Sequence, residues 1–560
     1  MPSGELIHLL RMGRVPYRHA LRLMQLMVNT RRQGDMGDAL LLVEHPPVIT
    51  LGCAGGSEDL RVSSDYLQQL GIEVVPTERG GRVTYHGPGQ LVVYPILKLP
   101  NDDLHDYLWR LEQVALEVLN EWGIAARRVE RHPGVWIGRD KIAAVGVAVQ
   151  DRVTSHGLAL NVDPDMAHFQ LIVPCGLSSR GVTSMRAVLG QPVTMEAVEH
   201  SFVAAFSHVF MRQVAPRQMP GPWLVAPAPQ EATASIEQVV ADLSLHTVCQ
   251  EAACPNIGEC WARGTATLML LGDVCTRHCR FCNVKSGHPL PPDPQEPFRV
   301  AQAAVRMGLH HVVLTSVTRD DLSDGGASQF VLTIQAIRNR LPGATVEVLV
   351  PDFGGSLSAL DTIAAAQPDV FNHNVETVER LSDKVRAKAE YRRSLAVLAW
   401  AKQRGLTTKS GLMVGLGETC GEVIETMRNL RRAGCDILTI GQYLQPTNQQ
   451  LDVVDHVHPV VFAWYREVGR FLGFQMVMAD PLVRSSYHAE EVWSEKTGER
   501  QYHKSCYTGD CPSHSPPSAS PGGEGTRSPR SVPRREEGFG MRVHSERIDY
   551  AADTTCRYSG

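Results

Sequence analysis

Apolar residues in the first third of the chain gather into short strand-like runs, LLLVEHPPVITLG, QLVVYPILKL, KIAAVGVAVQ and HGLALNV. Between them a helical period spans about Asp102 to Trp122, with Leu104, Leu108, Leu111, Ala115, Val118 and Trp122 on one stripe and Asp102 or Asp103 as its cap. A second helical run, Met195 to Phe210, completes an α/β domain over residues 1–213. Arg212 to Pro222, RQVAPRQMPGP, has three prolines and no period, so residues 214–222 read as a linker. From Thr265 the rhythm changes to six strand-plus-helix units, ATLMLLG, HHVVLTSV, TVEVLV, DVFNHNV, TTKSGLMVGL and CDILTIGQYL, about 25 to 45 residues apart. That spacing predicts a parallel sheet over residues 223–492, wound open or as a partial barrel. Polar residues end these runs at Thr318 to Asp321, Asp352, Asn372 to Glu376, Lys409 with Ser410, and Gln442 to Gln445, where a parallel α/β barrel keeps its chemistry.

Composition narrows the class. Of 560 residues, 43% are apolar and 21% charged, close to globular averages. In Cys511 to Glu536, six prolines, six serines and three glycines leave too few apolar groups to offset ordering entropy, so the tail, 493–560, is expected to be largely disordered, with Cys506, Cys511 and Cys556 as bystanders. A net charge of -5 provides no drive toward nucleic acid or anionic lipid. The N-terminal apolar run is too short for a signal peptide and no long uncharged apolar stretch occurs, so a cytoplasmic protein without a membrane partner is expected. Of thirteen cysteines, six crowd into Cys249 to Cys282, which suits metal ligation in a reducing compartment.

Cys275-Thr-Arg-His-Cys279-Arg-Phe-Cys282 is a CxxxCxxC directly after the run ATLMLLG. Three thiolates this close can hold three irons of a 4Fe-4S cube and leave the fourth open. A zinc knuckle is the alternative, but structural zinc prefers paired CxxC ligands in a closed set of four. CxxxCxxC opening a parallel α/β barrel resembles the radical S-adenosylmethionine superfamily, which implies that the open iron chelates S-adenosylmethionine and that the cluster cleaves it to a 5'-deoxyadenosyl radical.

Just upstream lies a CxxxxCxxxxxC, Cys249, Cys254 and Cys260, again one ligand short of a second cluster. With GECWARGTATLMLLGDVCTRHCRFC, TSVTRDDLSDGGA, PDVFNHNVETVERL, YRRSL, TKSGLMVGLGET, GCDILTIGQYLQPT and PLVRSSYHA, the chain from Pro222 to Ala489 resembles lipoyl synthases. The resemblance implies two 4Fe-4S clusters, with Ser486 of RSSY as fourth ligand of the upstream one. It also implies that this auxiliary cluster donates two sulfurs to carbons six and eight of a protein-bound octanoyl chain. A serine oxygen holds iron less firmly than thiolate, which suits a cluster that is dismantled. Asn372, His373, Asn374, Glu376 and Lys409 are read as a polar lining for S-adenosylmethionine or substrate, with strand-end capping as the alternative. Cys420 and Cys435 fit no ligand spacing and are expected to be core or bystander thiols.

The first domain carries RGGRVTYHGPGQL, DKIAAVGV, SHGLALNV and IVPCGLSSRGVTSM. Together these resemble the lipoyl(octanoyl) transferases over roughly Leu6 to Phe210, which implies the α/β fold of biotin and lipoate protein ligases. It makes Cys175 the acyl-accepting nucleophile and Lys141 its acid/base partner. A thiol becomes competent beside a cation or base, and apolar Ile142, Ala143, Ala144 and Val145 would desolvate the lysine. Substrate contacts are expected from Arg79, Gly80, Gly81, Arg82, Val83, Thr84, Tyr85, His86, Ala144, Val145, Gly146, Gly157, Leu158 and Ala159. Implied partners are octanoyl-acyl carrier protein, lipoyl domains of 2-oxoacid dehydrogenases, the glycine cleavage H protein and an electron donor such as ferredoxin or flavodoxin. The rival reading is an ATP-dependent lipoate ligase fused to a non-catalytic iron-sulfur protein.

Overall fold

The computed structural model describes residues 6–101, 103–173, 181–217, 219–224, 231–252, 254–263 and 265–487. Strands β1 (Ile7–Arg14), β2 (Ala39–Glu44), β3 (Val48–Leu51), β4 (Glu73–Pro76), β5 (Val83–His86), β6 (Gln90–Ile96), β7 (Arg127–Arg128), β8 (Val135–Ile137), β9 (Asp140–Gln150), β10 (Val153–Asn161) and β11 (Val214–Ala215) form two sheets. The larger has the order β11-β1-β2-β6-β10-β9-β8-β7 and the smaller β4-β3-β5. Strands β2 (ALLLVE) and β6 (QLVVYPI) are nearly continuous apolar runs because both faces of the sheet are covered. Helix α1 (Tyr17–Gln33) covers one face through Ala20, Leu23, Met24 and Met27. Helices α2 (Leu104–Glu121) and α3 (Met195–Phe210) share an apolar cluster with Leu40, Leu91 and Leu158 on the other.

Asp103 caps α2 by accepting from the Asp106 amide. The expected stripe is rotated: Tyr107, Leu111, Val114, Ala115, Val118 and Leu119 are buried, and Leu104, Leu108 and Trp122 lie at the margin. A pattern that counts tyrosine as polar misses the turn of Tyr107 toward the sheet. The aperiodic stretch after α3 contributes β11, which pairs parallel to β1 at Ile7 and His8.

The second domain has β12 (His246–Thr247), β13 (Thr265–Leu270), β14 (His311–Ser316), β15 (Thr345–Leu349), β16 (Val370–Asn372), β17 (Thr408–Val414), β18 (Ile437–Gln442) and β19 (Met476–Ala479), neighbours in chain order. Strands β13 to β19 are parallel, and β12 is antiparallel to β13. The six expected strands are β13 to β18; β19, only four residues long, was not expected. Helices α4 (Glu296–Arg306), α5 (Ala327–Arg340), α6 (Leu357–Ala365), α7 (Tyr391–Gln403), α8 (Cys420–Arg432) and α9 (Pro459–Phe471) alternate with the strands. A capping box starts α8, with Thr419 and Glu422 each accepting from the other's amide.

Both domains belong to one packed unit. A single apolar cluster contains Leu10, Met12, Leu23, Met24 and Met27 of the first domain with Val423, Met427, Trp464 and Val468 of the second. Each such side chain contributes ~2 kcal/mol on burial. That outweighs exposed pairs such as Arg22 with Glu467, worth ~0.5 kcal/mol. Residues 488–560, including the tail and its three cysteines, lie outside the described residues, as does Asp102.

Candidate functional site

The C-terminal ends of β13 to β18 surround a cavity of about 510 Å³. Cys249, Cys254, Cys275, Cys279 and Cys282 line it, together with Arg277, Asp352, Arg386, Ser485 and Ser486. Cys260 is buried next to that lining, in the apolar cluster against which Cys249 and Cys275 also pack. Thr276 ties the cysteine loop to the end of β14, its amide and hydroxyl both donating to the Thr318 carbonyl, at 3.0 and 2.9 Å.

Chemically, the thiols suit a cationic guest. Burial first, then neighbouring Cys279 and Cys275, pushes Cys282 up to about 11. Cys249 is raised by burial and then by Cys254, and Cys254 by burial against the opposing pull of Arg484. Thiols that burial and one another keep protonated become ligands when a cation replaces the protons. Among the described residues no three acidic, histidine or cysteine side chains converge on a single ion. In a 4Fe-4S cube each thiolate binds a different iron, so the donor set fits a cluster.

The RSSY segment returns to the first triplet. Asn256, between Cys254 and Cys260, donates to the Leu482 carbonyl at 2.6 Å, and Tyr487 donates to Glu259 at 3.1 Å. Thr267 on β13 donates to Ser486 Oγ at 2.7 Å. Ser486 thus stands in the same cavity wall as Cys249 and Cys254.

The polar residues divide. Asn374 donates to Ser485 Oγ at 2.6 Å, while its Oδ1, like Ser316 Oγ, is buried without a partner among the described residues. Both residues line the cavity. Glu376 lines it too, its carboxyl raised by burial against the pull of Arg386. His373 reaches the lining, but Val350 O and Ser394 Oγ occupy its nitrogens at 2.8 and 2.9 Å, and burial lowers it to about 4. Asn372 and Lys409 stand apart from these. Their side chains donate to the buried Glu347, at 2.8 and 3.0 Å, and neither residue is in the cavity lining.

Sequence reasoning missed Arg277 and Arg386. Arg277 lies inside the CxxxCxxC itself and reaches Asp320 and Asp352, each at 2.8 Å. Burial alone would raise Asp352, but the Arg277 hydrogen bond and charge hold it at about 2. Nothing local to Arg386 marks it.

In the first domain Lys141 is buried at the start of β9, its Nζ donating to Pro133 O at 3.0 Å and lying 4.7 Å over the Trp136 ring. Cys175 lies outside the described residues, within 174–180. The flanks of that segment are placed: the Val173 amide bonds Asp59 O at 2.8 Å, and the Lys141 amide bonds Gly181 O at 3.0 Å. The chain therefore re-enters beside Lys141.

Arg79 is buried and organises the glycine loop, donating to Thr50 O at 2.8 Å and Arg82 O at 2.9 Å. Gly80 docks its amide on Val147 O at 2.9 Å, and a Cβ on Gly146 would fall 2.9 Å from Gly80 O. The Gly81 carbonyl accepts from the Ala54 amide at 3.1 Å. Arg82 pairs with Asp59 and Glu58. In β5 the alternation buries the side chains of Val83 and Tyr85 in the small sheet's core, with Thr84 and His86 on the other side. His86 is occupied by Gln90 at 2.6 Å and Thr50 at 3.4 Å, and burial lowers it well below the usual histidine range. Gly157, Leu158 and Ala159 on β10 pair with Gly146, Val145 and Ala144 on β9. The Leu158 side chain joins the core shared with α2 and α3. Cys420 and Cys435 are core thiols, each raised to about 12 by burial.

A parallel α/β domain with a CxxxCxxC loop at its strand ends defines a radical S-adenosylmethionine enzyme, and residues 269–441 match the Radical SAM superfamily. Residues 16–207 match the lipoyl protein ligase A/B catalytic domain. The chain is 56% identical over 270 residues to a lipoyl synthase of Caldanaerobacter subterraneus subsp. tengcongensis, covering 48% of this chain and 95% of that protein. It is 55% identical over 280 residues to a lipoyl synthase of Thermus thermophilus, covering 49% and 87%. A bipartite lipoate protein ligase from Thermoplasma acidophilum aligns at 18% identity over 38% of this chain and 86% of that one, with a TM-score of 0.32. The chain belongs to the lipoyl synthase family, joined to a lipoyl protein ligase A/B catalytic domain, and its chemistry is that of lipoate biosynthesis. Among the described residues no helix is long and apolar enough to cross a membrane.

Proposed function

We propose that this chain carries out two consecutive steps on one carrier. The first domain moves an octanoyl group from octanoyl-acyl carrier protein to a lysine of a lipoyl domain, of a 2-oxoacid dehydrogenase or the glycine cleavage H protein. Cys175 attacks the thioester and holds the acyl group, and Lys141 takes the thiol proton and returns one to the departing group. The second domain then inserts sulfur at carbons six and eight of the same chain.

Cys275, Cys279 and Cys282 would hold the cluster that, reduced by a donor such as ferredoxin or flavodoxin, supplies the electron for cleaving S-adenosylmethionine. Asn374 and Glu376 offer polar contacts to that ligand from the cavity wall. Cys249, Cys254, Cys260 and Ser486 would hold the second cluster as a sulfur-donating substrate. The observation that carries this reading is the return of Ser486 to the wall occupied by Cys249, Cys254 and the CxxxCxxC loop.

The test is anaerobic turnover of the full chain with octanoyl-acyl carrier protein, an apo lipoyl domain, S-adenosylmethionine and dithionite, followed by mass spectrometry of the lipoyl domain. Octanoylation without ATP and then gain of two sulfurs is the expected result. Acylation only with ATP and free octanoate would make the first domain a ligase.

A further inference from the structure

Beyond His8 the outer edge of β1 is not paired to β11, and α8 of the second domain closes on it. A Cβ on Gly421 would fall 2.8 Å from Arg14 O and 2.9 Å from Met12 O, so the helix meets the strand backbone directly. One contact across this junction leads into the cavity. His8 Nε2, buried, lies 3.1 Å from both carboxylate oxygens of Asp455. The same carboxylate accepts from the Arg217 amide at 2.7 Å, and the Asp455 carbonyl accepts from Gln442 Nε2 at 2.9 Å.

Gln442 ends β18 and lines the cavity. Gly415, at φ 96°, is the close neighbour that permits this arrangement, since a Cβ there would lie 2.2 Å from Gln442 Nε2 and 2.5 Å from Asp455 O. Residues 443–446 continue the cavity wall. Further on, the same segment grips the cysteine loop, with the Leu451 amide donating to Arg280 O at 3.0 Å and Gln450 Nε2 to Cys282 O at 3.2 Å. A continuous set of contacts therefore joins a side chain of the first domain to the CxxxCxxC loop of the second.

We propose that the first domain is a positioning element for the second domain's chemistry, with His8 holding Asp455 and, through it, the segment 443–455 that walls the cavity and braces the cysteine loop. His8 touches no reactant; it is a positioning residue. The proposal rests on reading the second domain as the sulfur-inserting site. It also explains why the junction is packed and apolar, where a tether alone would need only a flexible connection.

The experiment uses full-length His8→Leu, Asp455→Asn, His8→Gln and, as a control at an exposed pair of the same junction, Arg22→Ala. Hydrogen exchange of the peptide spanning 443–457 is read on each protein without turnover. Losing a hydrogen bond to a charged group should speed that exchange about tenfold in His8→Leu. Turnover of a pre-octanoylated lipoyl domain is then read as kcat, KM and the ratio of 5'-deoxyadenosine to lipoyl product. In His8→Leu the KM and that ratio should each rise several-fold, by roughly 5-fold for a loss near 1 kcal/mol. His8→Gln, which keeps an N–H donor near the Nε2 position, should restore both, and Arg22→Ala should match the parent.

Unchanged exchange and an unchanged ratio in His8→Leu would overturn the proposal. So would faster exchange throughout the first domain with no rescue by glutamine, because His8 would then serve only folding. If His8→Leu does not fold, Asp455→Asn, of nearly the same shape, decides by the same measurements. A parent protein that makes no lipoyl product would instead sink the reading of the second domain, whatever the exchange shows.

Discussion

Lys409 Nζ lies 3.0 Å from Glu347 Oε1, and both side chains are wholly buried. Asn372 donates to the same carboxylate at 2.8 Å, and His311 Nε2 stands 3.5 Å away. Burial alone would raise Glu347, but Lys409, then His311 and Asn372, hold it at about 2. Removing Lys409 leaves a buried charge unpaired, so Lys409→Met should cost ~3–5 kcal/mol in denaturant unfolding. Combining it with Glu347→Leu should recover most of that loss. Because the folded carboxyl is depressed, the pair's stabilisation is present above the unfolded value of 4.5 and should fade as pH falls toward about 2.

The proposed acyl transfer divides the first domain's chemistry between a nucleophile and a proton carrier. Cys175→Ser should abolish a hydroxylamine-sensitive acyl-enzyme on intact-protein mass spectrometry, yet leave sulfur insertion into a pre-octanoylated lipoyl domain at parent level. Lys141→Ala should lower acyl transfer by about 10²–10⁴-fold, the range for a lost acid/base group. Normal transfer by either variant would remove that residue from the mechanism.

The two cysteine triplets should separate in function. Cys275→Ala, Cys279→Ala or Cys282→Ala should abolish 5'-deoxyadenosine formation. Cys254→Ala should keep that cleavage but add no sulfur, while Ser486→Cys should retain iron and release sulfur poorly, because thiolate holds iron more firmly. Iron and sulfide analysis beside product mass spectrometry reads both; full sulfur insertion by Cys254→Ala would place the sulfur source elsewhere.

Gly421→Val tests the packed junction. Its side chain would meet backbone atoms of Met12 and Arg14 that cannot swing aside. A cost of ~1–3 kcal/mol in unfolding is expected, as for an overpacked core. A melting curve with the parent midpoint would mean that α8 does not rest on β1.

Much of this was legible locally. The strands β13 to β18 and helix α3 announce themselves because period-two, continuous-apolar and helical patterns are properties of neighbouring residues. The rotated face of α2 and the unexpected β19 were not, since burial of Tyr107 and pairing of a four-residue strand depend on what lies opposite them. Lys409 and Asn372 show the same limit within the site. Their position at strand ends was visible, but whether a side chain points up into the cavity or down to Glu347 is set by register and by the partner across the sheet.

By itself the sequence determined the cysteine spacings, the alternation of strands and helices and the motifs that define the two domain types, all encoded within a few tens of residues. The tertiary structure decided which of those residues meet. Ser486 reaches Thr267 across 219 positions because the segment after β19 folds back onto β13. His8 reaches Asp455 across 447 because α8 and α9 bury their apolar faces against β1 and α1. Such contacts arise from the shared burial of surfaces distant in the chain, and no local pattern carries them.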